Sequence, residues 1–370
     1  MRKQRWLLLS DGLRPTEDVY FLRSVAPLLR AQQQEVVRLD VRGWRWALVW
    51  PRLAAESGAN LVLCRTLPPR VAWWLERERE RFGRIIYLID DDLSAAAEDP
   101  RLPETYRRRM TRAAARQPRL LALADTVVAA SPVLAERLTE RHPHLQVMLP
   151  TLISPVQDLA HFAQGPSPED PWRIGFHGSR AHLADLAHIA PALAALQRER
   201  EDTELELMVG ERVPPLLAGL PRVTCPEPLP WNRFQAYRAG RRVHIGLVPM
   251  LDTPFNRSKS IIKFLDIAVM GGVGIYSRCA PYSRMIREGV DGLFADDDPA
   301  DWRRCLEWLL AHPEAARAMA EAAAERARQQ VLTDLPGWVL GGEERGSSYP
   351  LAFRRATTTS KAIGESNLVL

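Results

Sequence analysis

Residues 255–277, FNRSKSIIKFLDIAVMGGVGIYS, bring two lysines and a carboxylate to the expected start of a helix. The segment reads as a loop, a helix over Lys259–Met270, a glycine turn and a strand. A helix start has unpaired N–H groups and a partial positive charge, so it attracts phosphate. On a helix, Lys259 and Lys263 would share one face, with Asp266 close to it. Such a set suits a ligand with a pyrophosphate at one end and hydroxyls at the other, as in a sugar nucleotide. The bland alternative is a solvated helix face.

Other residues could join them. Trp172–Leu186, WRIGFHGSRAHLADL, reads as a strand and a glycine loop. Gly178 lets backbone approach a phosphate closely, with Ser179 beside it and Arg180 able to pair with a phosphate oxygen. His177 either touches phosphate or base, or packs at the strand end. Asp90, Asp91 and Asp92 follow another strand. They could hold a metal, act as a base, or cap a helix facing Arg107–Arg109, and Asp90 or Asp91 is expected to face a cleft. Ser10, Asp11, Gly12 and Arg14 lie on the first strand-to-helix loop, where Gly12 permits close approach to a donor. Arg65, at a strand end, meets either an acceptor or a surface carboxylate. His142, His144, His182, His188 and His244 have no consistent metal-ligand spacing and read as structural. No metal site is expected.

Alternating elements must carry these residues. Strands are predicted at Trp6–Leu9, Glu35–Leu39, Leu61–Cys64, Arg84–Ile89, Ala124–Ala129 and Gln146–Leu149, with helices at Val19–Arg30, Val71–Phe82, Thr105–Arg116 and Val133–Thr139. A second series follows, with strands at Arg173–Phe176, Leu205–Val209, His244–Val248 and Val273–Tyr276. Its helices are expected at Leu183–Glu199, Trp231–Ala239, Lys259–Met270, Ala300–Ala311 and Glu314–Gln330. The reading is α/β, with two doubly wound halves. Residues 1–160 form the first, 161–171 a proline-rich linker and 172–335 the second, while 341–370 is expected to be disordered.

A chain of 370 residues suits about two domains. Cys64, Cys225, Cys279 and Cys305 are scattered without a CxxC pair, which fits a reducing compartment. No apolar run reaches the ~18 residues of a membrane span, and Trp6–Leu9 is too short for a secretory signal, so a cytoplasmic protein is expected. Residues 1–160 hold 25 Lys and Arg against 19 Asp and Glu, whereas residues 161–370 hold 25 against 26. The basic half, with tryptophans at 44, 46, 50, 73 and 74, could contact anionic lipid at the inner face of a membrane; the alternative is a compositional bias. Of Trp73 and Trp74, one ring is expected in the core and one outside. Nucleic acid is not expected, since no recognition motif accompanies the charge.

Taken in order, these segments resemble retaining glycosyltransferases of the GT-B fold, family-4-like, over about residues 172–330. The resemblance rests on Lys259-Ser260, Lys263, Asp266, the glycine turn and strand, then Ala280-Pro281-Tyr282, IREGVDGLF over 286–294, Asp296–Asp298 and Trp302. It implies two Rossmann-like domains facing across a cleft and transfer from a nucleotide-diphosphate sugar to a glycan, lipid-linked or protein acceptor. That donor is a substrate, and no cofactor or metal is implied. Surface polysaccharide or glycoconjugate assembly is the implied setting. Lys259, Lys263 and Arg180 would stabilise the leaving diphosphate, and Gly178, Ser179, His177, Ser260 and Gly12 would line the donor site. Asp266, where most relatives have glutamate, would hold the ribose. The pattern also carries a glutamate near the sugar where this chain has Ser258, and a double glycine where it has only Gly12. A C-terminal helix crossing back to the first domain is implied, with Leu335–Leu340 its remnant. The departures keep open a non-catalytic glycan- or partner-binding subunit and a sugar-nucleotide epimerase.

Overall fold

A computed structural model describes residues 4–12 and 14–341. Two parallel six-stranded sheets organise them. The first comprises β1 (Arg5–Ser10), β2 (Glu35–Asp40), β3 (Asn60–Cys64), β4 (Ile85–Ile89), β5 (Thr126–Ala129) and β6 (Leu145–Val147), in the order β2-β1-β3-β4-β5-β6. The second comprises β7 (Trp172–Phe176), β8 (Thr203–Leu207), β9 (Val223–Thr224), β10 (Ile245–Val248), β11 (Val273–Ser277) and β12 (Leu293–Ala295), in the order β12-β11-β10-β7-β8-β9. The fold is the pair of Rossmann-like domains that the resemblance implied.

Alternation builds the first sheet's two cores. Leu7, Leu9, Leu61, Leu63, Ile85, Tyr87 and Ile89 project to one face. Trp6, Leu8, Val62, Cys64, Ile86 and Leu88 project to the other. Because helices cover both faces, β3 and β4 are buried along their whole length, as central parallel strands are. Each sheet has a switch point, between β1 and β3 in the first and between β10 and β7 in the second. Loops leaving the strands on either side diverge there and open a crevice. They carry Gly12–Thr16, Arg65, His177–His182 and the 249–261 segment.

Several contacts join the two halves. Ser131 Oγ donates to the Ser258 carbonyl at 2.6 Å, Trp231 Nε1 to Asp18 at 2.8 Å, and Lys259 Nζ to Asp91 at 2.6 Å. Phe255 packs into the first domain's core and meets the Tyr106 ring. The chain also crosses back at its end. The short helix Gly337–Leu340 buries Trp338 against Trp6 and Phe21, and Arg84 donates to the Val339 carbonyl at 2.9 Å. The implied crossing element is thus present, although only one turn long. Trp338 is fully buried, so Trp338→Ala should destabilise the first domain by about 3–5 kcal/mol. Urea unfolding checks this; a loss below ~1 kcal/mol would mean that the segment is dispensable. The expected disordered tail lies, beyond Gly341, outside the described residues.

Two differences from the expected elements bear on the site. The helix expected from Lys259 starts at Ile262, preceded by a separate turn, Pro254–Arg257. Thr253 caps that turn through Asn256 N–H at 3.0 Å. It closes as Ser258 and Lys259 N–H groups bond back to Phe255 and Asn256 carbonyls. Lys259 therefore precedes the helix and does not share a face with Lys263. A helix not expected at all, Arg45–Ala54, carries Trp46 and Trp50, with Trp44 at its N-cap.

Candidate functional site

The crevice encloses a cavity of about 340 Å³ between the domains. That volume lies within the ~300–1,000 Å³ common for small-molecule sites. The first domain contributes Pro15, Thr16, Tyr20, Arg65, Asp90 and Asp91; the second contributes the ends of β7 and β10 and the 259–266 segment.

One side is a charged network. Arg65 Nη2 lies 2.6 Å from Asp90 and 2.7 Å from Asp91, and Thr16 Oγ1 donates to Asp90. Lys259 Nζ completes it on Asp91 and sits 3.9 Å from the Phe255 ring centroid. Burial works to raise the Asp91 carboxyl, but the charges of Arg65 and Lys259 outweigh it and hold it below the usual range. Burial equally works against charge on Lys259, and Asp91 reverses that effect. Arg65 has a φ of 55°, an uncommon left-handed conformation that Leu88 and Tyr87 bonds to its backbone fix in place. Asp90 and Asp91 both line the cavity. Asp92 alone caps a helix, accepting from Ala95 N–H at 2.9 Å, and its cation is Arg137, not Arg107–Arg109.

The other side combines rings with a second ion pair. Lys263 Nζ lies 3.0 Å from Asp266 and 5.7 Å from the Phe234 ring centroid. Asp266 is buried and also receives Arg238, itself buried and bonded to Ser154 and Gln235 at 2.9 and 2.8 Å. Burial opposes ionisation of Asp266, and Lys263 and Arg238 overcome it. A carboxylate has about four acceptor positions, so these two donors leave room for ligand hydroxyls. Phe234 and Trp231, with Met208, Pro228 and Leu229, form an apolar wall. Ser260 and Ile262 bring the start of the Ile262–Val269 helix to the cavity.

Beyond β7, His177, Gly178 and Ser179 line the cavity. His177 is also a packed strand-end residue. Its Nε2 lies 2.9 Å from Glu206, which Tyr237 and Arg241 also bond. Burial acts to raise the Glu206 carboxyl, but these hydrogen bonds bring it down to about 2. Arg180 departs from expectation: it is exposed and outside the cavity lining, because the turn Arg180–His182 directs its third residue inward. His182, read as structural, lines the cavity with Nδ1 2.8 Å from Asp185. Buried Asp185 is fixed by Leu251 N–H at 2.9 Å and Asn256 Nδ2 at 3.1 Å.

Gly12 also departs from expectation. Its φ is +92°, but the Arg42 side chain occupies the space beside it, and the neighbouring lining residues are Pro15 and Thr16. Ser258 is fully buried, its Oγ donating to the Phe255 carbonyl at 2.8 Å, so no side chain replaces the family's glutamate there. His244 is structural: it stacks on Trp172 with centroids 4.9 Å apart, and its Nδ1 accepts from Arg173 N–H. Burial lowers its pKa to about 4. Among the described residues, no group of three His, Cys, Asp or Glu is arranged to hold a metal ion. No helix among them is long and apolar enough to cross a membrane.

Sequence gave no signal for Arg238, since a charged residue on a short polar helix is ordinarily solvated. The Trp231 and Phe234 wall was equally hidden, because their helix has no apolar stripe. The loop before β10's helix carried one readable mark, Thr253-Pro254, a cap and first-turn proline that separate the short turn from the helix.

No protein-family model matches the chain, and no curated protein matches it in sequence. Solved structures do match in shape. Sucrose-phosphate synthase from Thermosynechococcus elongatus superposes with a TM-score of 0.62 at 15% identity, covering 92% of this chain and 98% of that one. The Anabaena Alr3699/HepE structure in complex with UDP-glucose gives 0.53 at 13%, covering 88% and 95%. A putative UDP-N-acetylglucosamine 2-epimerase from Listeria monocytogenes gives 0.53 at 14%, covering 93% and 99%. At such identities the likeness establishes the fold, which is GT-B.

Proposed function

We propose that this protein is a glycosyltransferase that takes a sugar from a nucleotide-diphosphate donor, UDP-linked in the first instance. The observation that supports this most is the cavity's pairing of an apolar ring wall with Lys263, Asp266 and a helix start. The wall suits a flat base, Asp266 the ribose hydroxyls, and Lys263 with the helix N–H groups the diphosphate. UDP is favoured because the HepE neighbour holds UDP-glucose.

The chemistry is one substitution. An acceptor hydroxyl oxygen forms a bond to the anomeric carbon, the bond from that carbon to the diphosphate oxygen breaks, and the electron pair leaves on the diphosphate. Lys263 and the helix start, with Lys259 nearby, stabilise the charge that develops there, so the transfer is proposed to be metal-independent. The acceptor's proton passes to the departing diphosphate. Asp90 and Asp91 are poor candidates to take it, since both are bound in ion pairs. A leaving group that doubles as base lies on the face from which the sugar departs, which favours retention of configuration. Glycan, lipid-linked and protein acceptors all fit this scheme, as does a role in surface glycoconjugate assembly on the cytoplasmic side.

Calorimetry against UDP, GDP, ADP, CMP and their sugars tests the donor. UDP and one UDP-sugar should bind with Kd in the micromolar range, about −8 kcal/mol, and the other bases at least ~10-fold more weakly. Binding of none would sink the transferase reading and favour a glycan- or partner-binding subunit. Incubating the donor alone separates the remaining rival, because an epimerase converts it without acceptor.

A further inference from the structure

We propose that the outer face of the first domain's helical layer docks on an anionic lipid bilayer. This inference stands apart from the donor chemistry and rests on a different surface.

The Arg45–Ala54 helix has two apolar sides. Leu53 faces the core, and Trp46 packs edge-on against Trp74 with centroids 5.8 Å apart. The outward side carries Trp44 at 70% exposure and Leu48 at 64%, with Ala47 and Pro51 also exposed on the same stripe. Trp50 adds a ring at 44% exposure. A helix on a globular surface normally turns polar side chains outward. Residues 40–55 contain Arg42, Arg45 and Arg52 against the single carboxylate of Asp40, which lies 2.7 Å from Arg42 and 3.6 Å from Arg45. On the adjoining helix Pro69–Arg77, Trp73 is exposed with the Arg77 guanidinium 4.9 Å from its ring centroid. Arg70 of that helix bonds the Gly43 carbonyl and ties the two together. The neighbouring helix Glu104–Leu123 presents Arg108, Arg109, Arg112, Arg116 and Arg119 to solvent.

Charge and side-chain type together select the occupant. Exposed tryptophans suit the headgroup boundary, where an amphipathic ring meets both water and acyl chain. Arginines around an apolar stripe are the composition of a helix lying in that boundary on anionic lipid. Position gives the face a use. Trp44 and Arg42 follow the carboxyl end of β2, the edge at which the cavity opens, and the Arg42 side chain lies against Gly12 of the first loop. A bilayer held there presents lipid-linked hydroxyls to the side of the cleft that holds Arg65 and Asp90.

The test is co-sedimentation of the full chain with vesicles of phosphatidylcholine alone and of phosphatidylcholine with about one third phosphatidylglycerol. The protein should pellet with the anionic vesicles, weaken as salt rises, and stay in solution with the neutral ones. Trp44→Ser combined with Leu48→Ser should cut the bound fraction by about tenfold, and so, separately, should Arg42→Gln with Arg45→Gln. The four side chains are exposed, so circular dichroism and melting temperature should not change. Absence of binding to anionic vesicles, or binding by both double variants equal to that of wild type, overturns the proposal. Binding of RNA that depends on the same residues and exceeds vesicle binding also overturns it.

Discussion

Lys263→Ala should weaken UDP binding by about one to two orders of magnitude while leaving the fold intact. The ammonium group lines the cavity, a quarter exposed, beside the start of the Ile262–Val269 helix. One charge-assisted hydrogen bond contributes about 1.5–3 kcal/mol, and ~1.4 kcal/mol is a factor of ten in Kd. Turnover should fall further, by about 10²–10³-fold, because charge on the departing diphosphate is greatest in the transition state. Stability should change by less than ~1 kcal/mol, since Asp266 keeps its buried partner Arg238. Uridine supplies the control. It has the base and ribose without phosphate, so its affinity should be the same in both proteins. Equal UDP affinity in wild type and variant would remove Lys263 from the donor site; equal loss of uridine and UDP would indicate a general collapse of the cavity.

The charges of this site were legible one by one, but their partnerships were not. Asp90, Asp91, Lys263 and Asp266 were found because a carboxylate after a buried strand, or a cation at a helix start, stands out in a chain read by periodicity. The two sheets were legible for the same reason: runs such as LVLC and IIYLI have few other places to go. β9 and β12 escaped because two and three residues are too short to show a period. The partner of Lys259 lies 168 positions away on the other domain, and nothing local could indicate it. Lys259 and Lys263 were expected to act as a pair on one face. They instead anchor two separate ion networks, because the helical run is interrupted between Ser258 and Ile261. The Arg45–Ala54 helix was missed for another reason. Apolar residues on two sides blur the single stripe that marks a helix, and Pro51 within it argues against one.

Arg65→Met should destabilise the protein by about 3–5 kcal/mol at neutral pH, the usual cost of removing one member of a buried charge set. The guanidinium is the only group in contact with both Asp90 and Asp91 among the described hydrogen bonds and ion pairs. Methionine fills similar volume but leaves Asp90 with Thr16 and Asp91 with Lys259, two carboxylates facing a shared apolar gap. The sign of the pH effect follows. The Asp91 carboxyl is held below its ordinary value in the folded protein, so it contributes stability above the unfolded pKa of about 4 and loses it as pH falls through the folded value. Without Arg65 that contribution shrinks, so wild type has more to lose in acid than the variant. Urea unfolding at pH 7 and at about pH 2–3, below the unfolded pKa of about 4, should therefore show the gap between them narrowing. Asp90→Asn placed in the Arg65→Met background should recover part of the loss, because it removes one of the stranded charges. A gap that is constant with pH, and unmoved by Asp90→Asn, would mean that Arg65 contributes through packing and its left-handed backbone rather than through charge. The charge account also bears on turnover. With Arg65 gone, Asp91 relies on Lys259 alone, and a donor phosphate then has to compete harder for that lysine.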